Sequence, residues 1–130
     1  MIYGIGTDIV SIERMARNLE KYDRKFAERI LTDNELGDYD RLVNNRADFL
    51  AKRYAAKEAV AKAMGLGFRD GLQLRQIGVG HDEYGKPVLE TYGFAEKFFS
   101  KHNISDSHLS LSDEKAYAVA FVTLECNKGL

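Results

Sequence analysis

Apolar residues first recur along this chain with a period of two. Residues 2–10 alternate, with Tyr3, Ile5, Thr7 and Ile9 on one side and Gly4, Gly6, Asp8 and Val10 on the other, which predicts a strand. The period then lengthens. Ile12, Met15, Ala16 and Leu19 repeat at helical spacing from Ser11, a good cap, to about Tyr22. Phe26 to Leu31 predicts a short helical turn, and Thr32-Asp33-Asn34-Glu35 matches a capping box whose helix runs to about Val43. After the loop Asn44-Asn45-Arg46, a helix begins around Ala47 or Asp48 and stops at Gly65. It is dense in Ala, Lys, Glu, Leu and Met, the residues that lose least on becoming helical, and Gly65 suits a left-handed C-terminal position.

In the second half the period of two returns. Leu66 to Gly71 is a glycine-studded loop, and Leu72 to His81 alternates as a strand with Leu72, Leu74, Ile77 and Val79 apolar. Tyr84-Gly85-Lys86 turns the chain into a second strand, Pro87 to Tyr92, which completes a hairpin. Phe94 to Lys101 is an amphipathic helix. His108 to Ser112 puts His108, Ser110 and Ser112 on one strand face, and Ala116 to Cys126 is apolar enough for the centre of a sheet. Helices gathered in the first half and strands mostly in the second make the fold class α+β.

Composition narrows the partners. A length of 130 residues is economically one domain, residues 1–130. The net charge of −1 argues against a bulk electrostatic nucleic-acid binder. The single Cys126 cannot form an internal disulfide, and the sequence has neither a basic leader before an apolar run nor a run of membrane-spanning length. The expectation is a cytoplasmic protein that binds neither nucleic acid nor membrane.

The chemistry lies in the small-residue faces. Two glycines weaken a strand unless something approaches its backbone closely, and the next side chain on that face is Asp8. On the long helix, Ala51, Ala55, Glu58, Lys62 and Gly65 share a face that also lacks bulk. Packed together, the two elements would bring Asp8 toward Glu58. Magnesium is usually held by one or two carboxylates plus substrate phosphates, and Lys62, one turn on, would lie beside such a phosphate. The plainer alternative makes Asp8 a helix-start residue and Glu58–Lys62 an ordinary surface pair. Arg14, Arg17, Lys21, Arg24 and Lys25 recur at spacings of mostly three and four. They form either a solvated face or a basic docking strip for an acidic partner, with apolar Phe26 and Ile30 nearby.

Gly4-Ile5-Gly6-Thr7-Asp8-Ile9-Val10 with Glu13-Arg14, Phe26 to Thr32, and Phe49 to Ala59 with Lys62-Ala63 and Gly65 together resemble the holo-[acyl-carrier-protein] synthases. Gly85-Lys86-Pro87, His108 to Ser112 and the closing strand also fit, so the resemblance runs from Met1 to about Glu125. It implies a 4′-phosphopantetheinyl transferase fold, one compact domain with helices on a mainly antiparallel sheet. The implied reaction is Mg²⁺-dependent. It moves phosphopantetheine from coenzyme A to a serine of apo-acyl carrier protein and releases adenosine 3′,5′-bisphosphate. The family's metal ligands fall on Asp8 and Glu58, and its diphosphate lysine on Lys62. A metal-bound water or hydroxide, steered by a carboxylate such as Glu58, is the candidate proton acceptor. Carrier docking falls on Arg14, Arg17, Lys21 and Arg24, flanked by Phe26 and Ile30. Gly65, Gly67, Gly85 and Lys86 are assigned to the nucleotide end, with His108 packed or near phosphate. Many members have a histidine where this chain has Asp113, which removes an imidazole from that position. A homotrimer with coenzyme sites between subunits is also implied. The competing readings are a non-catalytic binder of coenzyme A or of an acidic partner on the same fold, and an unrelated Mg²⁺-dependent phosphodiesterase.

Overall fold

The computed structural model describes residues 1–127. Strand β1 (Ile2–Ser11) leads into helices α1 (Ile12–Tyr22), α2 (Arg24–Ile30), α3 (Asp33–Arg41) and α4 (Arg46–Met64). A single 3-10 turn, Leu74–Gln76, precedes the hairpin β2 (Ile77–His81) and β3 (Pro87–Thr91). Helix α5 (Gly93–Lys101) and the strands β4 (Ile104–Asp113) and β5 (Tyr117–Cys126) follow. The α+β expectation holds. β5 is the central strand of an antiparallel sheet ordered β1–β5–β4, and β2–β3 forms a separate two-stranded antiparallel sheet. The strand expected from Leu72 begins only at Ile77, because Leu72 is buried in the approach and Leu74 enters the 3-10 turn.

β1 and α4 pack at a distance that no side chain would permit. A Cβ on Gly4 would stand 2.0 Å from the carbonyl oxygen of Ala63, and one on Gly6 would stand 1.9 Å from that of Ala59. The two glycines are there so that helix backbone can lie against strand backbone. The row that makes this contact is Ala59–Ala63, not the expected Ala51–Ala55–Glu58–Lys62–Gly65. Turning α4 by one residue moves its charged side chains from beneath β1 to the margin of the contact, where Glu58 is half-buried and Lys62 exposed. Tyr3 also departs from the alternation. The β1–β5 register shifts between Ile2 and Gly4, and the Tyr3 ring packs against Phe98 at 6.2 Å and His102 at 5.6 Å between centroids.

The inner face of β5 (Ala118, Ala120, Val122, Leu124) packs with α4 and α1 in the main core, while Ala27, Ile30, Leu31, Tyr39 and Leu50 form a second cluster. α4 is buried on most sides, which its alanines allow. The outer face of the three-stranded sheet is different. Ile5 is 60% exposed, Ile9 62% and Phe121 48%, with Tyr117 and Val119 beside them. Asp23 and Asn45, at left-handed φ of 53° and 60°, set the breaks before α2 and α4.

Candidate active site

Asp8 points to the helix side of β1, two residues beyond Gly6, and its carboxylate is 17% exposed. The Lys62 ammonium meets it there, donating to Asp8 Oδ1 at 3.2 Å and to the Thr7 carbonyl at 2.9 Å. Lys62 therefore makes its ion pair with the strand, rather than the i,i+4 pair with Glu58 that helical spacing offers. Glu58 stands one turn earlier on the same side of α4 and has no cationic partner within ion-pair distance among the described residues.

Tyr54 belongs with this group, although its spacing alone places it among apolar residues. Burial raises the pKa of its phenol above the ordinary value. The neighbouring Glu58 carboxylate adds to that rise by its charge, Asp8 adds in the same way, and Arg14 opposes. Four groups from three elements thus feel one another: Asp8 from β1, Arg14 from α1, and Tyr54 and Glu58 from α4. The signal available in the sequence was Tyr54 at i−4 from Glu58.

The two carboxylates with an open side match the donor set of a hard cation that completes its shell with phosphate oxygens and water. Among the described residues no three His, Cys, Asp or Glu side chains converge into a protein-only metal cluster.

The basic strip divides under inspection. Arg17 pairs with Glu13 at 3.1 Å, and the Lys21 ammonium sits 5.2 Å from the Tyr22 ring centre. Arg24 lies on α2, where it forms a two-pronged pair with Asp40 (3.0 and 2.7 Å) and a further bond to Glu28 at 2.7 Å. That pairing holds the Asp40 carboxyl below its usual range. Arg14 is exposed and carries no ion pair among the described residues. Phe26 is half-buried. Ile30 is 2% exposed and packed in the second core cluster, so the expectation of a surface contact there is corrected.

The remaining assignments are spread out. Gly65 ends α4 at φ 81° with its N–H on the carbonyls of Ala61 and Lys62, and Gly67 follows in the loop. Gly85 and Lys86 are exposed at the β2–β3 turn, where Asp82 accepts the Lys86 N–H at 2.9 Å. Among the described residues no hydrogen bond or ion pair joins Gly85 or Lys86 to Asp8, Glu58 or Lys62. His108 is on the outer sheet face, 2.7 Å from Glu125, so β4 turns it away from the face that carries Asp8.

A family profile described as the 4′-phosphopantetheinyl transferase superfamily matches residues 4–122. A holo-[acyl-carrier-protein] synthase from Nitrosococcus oceani is 52% identical over 124 residues, covering 95% of this chain and 80% of its own. The chain belongs to the holo-[acyl-carrier-protein] synthase family. It is a 4′-phosphopantetheinyl transferase, and the reading as a non-catalytic binder gives way. The crystal structure of the synthase from Neisseria meningitidis superposes with a TM-score of 0.87 at 48% identity, covering 96% of this chain and 99% of that one. The Bacillus anthracis synthase in complex with coenzyme A (3′,5′-ADP) gives 0.82 at 39%, covering 98% and 99%.

Proposed function

We propose that this transferase acts on coenzyme A and apo-acyl carrier protein, with Asp8, Glu58 and Lys62 as its reacting centre and Mg²⁺ as its ion. The observation that carries the proposal is the meeting of Lys62 with Asp8 across the glycine-to-alanine contact, with Glu58 one turn away and in no ion pair among the described residues. Asp8 and Glu58 would hold the ion, which supplies charge neutralisation to the diphosphate when bound.

In the proposed reaction the carrier serine oxygen attacks the phosphorus that bears the pantetheine. A new P–O bond forms, the bond to the bridging oxygen breaks, and adenosine 3′,5′-bisphosphate leaves. Lys62 shifts from Asp8 to the phosphate oxygens, where negative charge gathers in the transition state. Glu58 steers the acceptor of the serine proton. Arg14 and Phe26 receive the acidic carrier, and Arg17 and Lys21 contribute where their own pairs open. Gly65 and Gly67, directly after Lys62, are assigned to the nucleotide end. Gly85, Lys86 and His108 reach a coenzyme only across a subunit contact.

Such a contact has support in the outer sheet face, where Ile5, Ile9, Tyr117, Val119 and Phe121 form an exposed apolar surface. We assign this face to a homotrimer in the cytoplasm. No helix among the described residues is long and apolar enough to cross a membrane.

The test is incubation of the protein with apo-acyl carrier protein and coenzyme A, read by intact mass. The carrier should gain one phosphopantetheine with Mg²⁺ present, lose that gain in EDTA, and recover it when Mg²⁺ is restored. Undiminished transfer in EDTA would remove the ion from the proposal.

A further inference from the structure

Helix α4 poses an orientation problem. Six of its alanines are buried (Ala51, Ala55, Ala56, Ala59, Ala61 and Ala63), and methyl groups give shallow ridges that define rotation about the helix axis weakly. Yet a turn of one residue, about 100°, would either drive Glu58 and Lys62 beneath β1 or carry them away from Asp8. One side of the helix is set by the backbone contact of Ala59 and Ala63 with β1. About 200° around the wheel from Ala59 stands Lys57.

Lys57 is wholly buried, and each of its three ammonium protons has an acceptor. Nζ donates to Glu35 Oε1 at 2.7 Å, to the Leu74 carbonyl at 3.2 Å and to the Ile77 carbonyl. Glu35, equally buried, also accepts the N–H groups of Thr32 at 2.9 Å and Val79 at 3.0 Å. Arg53, one turn before Lys57, places Nε 3.8 Å from Glu35 Oε2 and otherwise has no partner for that atom among the described residues. These directional bonds join α4 to the start of α3, to the 3-10 turn and to β2. The capping box that ends at Glu35 accounts for only one of that carboxylate's contacts.

Replacing buried ion pairs by apolar residues of similar volume is often neutral or stabilising, so the charges are better explained by the arrangement they specify than by stability. We infer that Lys57 is a positioning residue for the transfer reaction. With Glu35 it locks the rotation of α4, so that Glu58 and Lys62 stand against Asp8. The inference rests on the proposed roles of those three residues.

The test removes the charges of Lys57 and Glu35 together with that of Arg53, because any one left alone would be an uncompensated buried charge. Lys57→Met/Glu35→Leu/Arg53→Met should fold with a melting temperature at or above that of the unmodified protein. Its kcat for carrier modification should fall about tenfold to a hundredfold, with KM for apo-carrier held within about twofold. Binding of Mn²⁺, titrated without substrate and read by electron paramagnetic resonance, should weaken in parallel. A second variant, Lys57→Met/Arg53→Met/Glu35→Gln, keeps an acceptor for one of the Thr32 and Val79 N–H groups and should behave in the same way. A stable variant with unchanged kcat and Mn²⁺ binding would overturn the inference. Failure of both variants to fold would overturn it as well, by making the cluster a requirement for stability. If the unmodified protein binds no Mn²⁺, the metal assignment fails, and the split between kcat and KM still judges Lys57.

Discussion

At the scale of single residues, what decides a role is the partner each charge already has. Lys62 is tied to Asp8 by an exposed bond that an arriving phosphate can replace at little loss, since such pairs are worth about 0–1 kcal/mol. Arg24 is the opposite case. Its guanidinium is held between Asp40 and Glu28, and it must give up both to meet an acidic carrier. Arg14 has no such competitor among the described residues. Arg14→Ala is therefore expected to raise KM for apo-carrier several-fold while leaving KM for coenzyme A unchanged, and Arg24→Ala to raise the carrier KM less. Steady-state kinetics at two salt concentrations checks this, because added salt should shrink the Arg14 difference. Equal effects of Arg14→Ala on both substrates would assign Arg14 to the frame of the site.

Elements explain how much could be read before the structure. The Thr32–Glu35 capping box and the Gly65 stop are local, set by side chains a few residues apart, and both appear as expected. The glycine face of β1 also announced a close approach. Its register with α4 did not, because alanines fill three sides of that helix and the sequence offers several equivalent rows. The burial of Lys57 and Glu35 was likewise hidden: each has an ordinary local role, and only the packing of α3 and β2 on α4 takes both out of water. Ile30 was misjudged for the same reason, since its neighbours in the core come from α3 and α4. The contact between β1 and α4 makes its own prediction. Gly6→Ala places a methyl where the Ala59 carbonyl stands, and overpacking of this kind should destabilise by about 2 kcal/mol or more. Urea unfolding measures it, and an unchanged midpoint would mean that β1 and α4 are not in backbone contact.

For the whole molecule, the unusual feature is a sheet with one covered face and one bare apolar face. The covered face holds the core against α4. Ile5, Ile9 and Phe121 on the other face are left exposed by the described residues, so covering them would be favoured by the same hydrophobic term that folds the core. Native mass spectrometry is expected to find three chains together, and Ile5→Lys with Phe121→Glu to reduce the assembly to one. A protein that runs as a single chain before any substitution would leave this face to another partner.

The central claim is that β1 and α4 bring Asp8, Glu58 and Lys62 together as the reacting centre. Glu58 tests it most directly, because it is half-buried at the margin of the contact and holds no structural ion pair. The measurement is the initial rate of carrier modification by Glu58→Gln, read by intact mass, with the melting temperature taken on the same sample. The account predicts a melting temperature close to that of the unmodified protein and a rate lower by about a hundredfold or more. A well-folded Glu58→Gln protein that modifies the carrier at the original rate would contradict it.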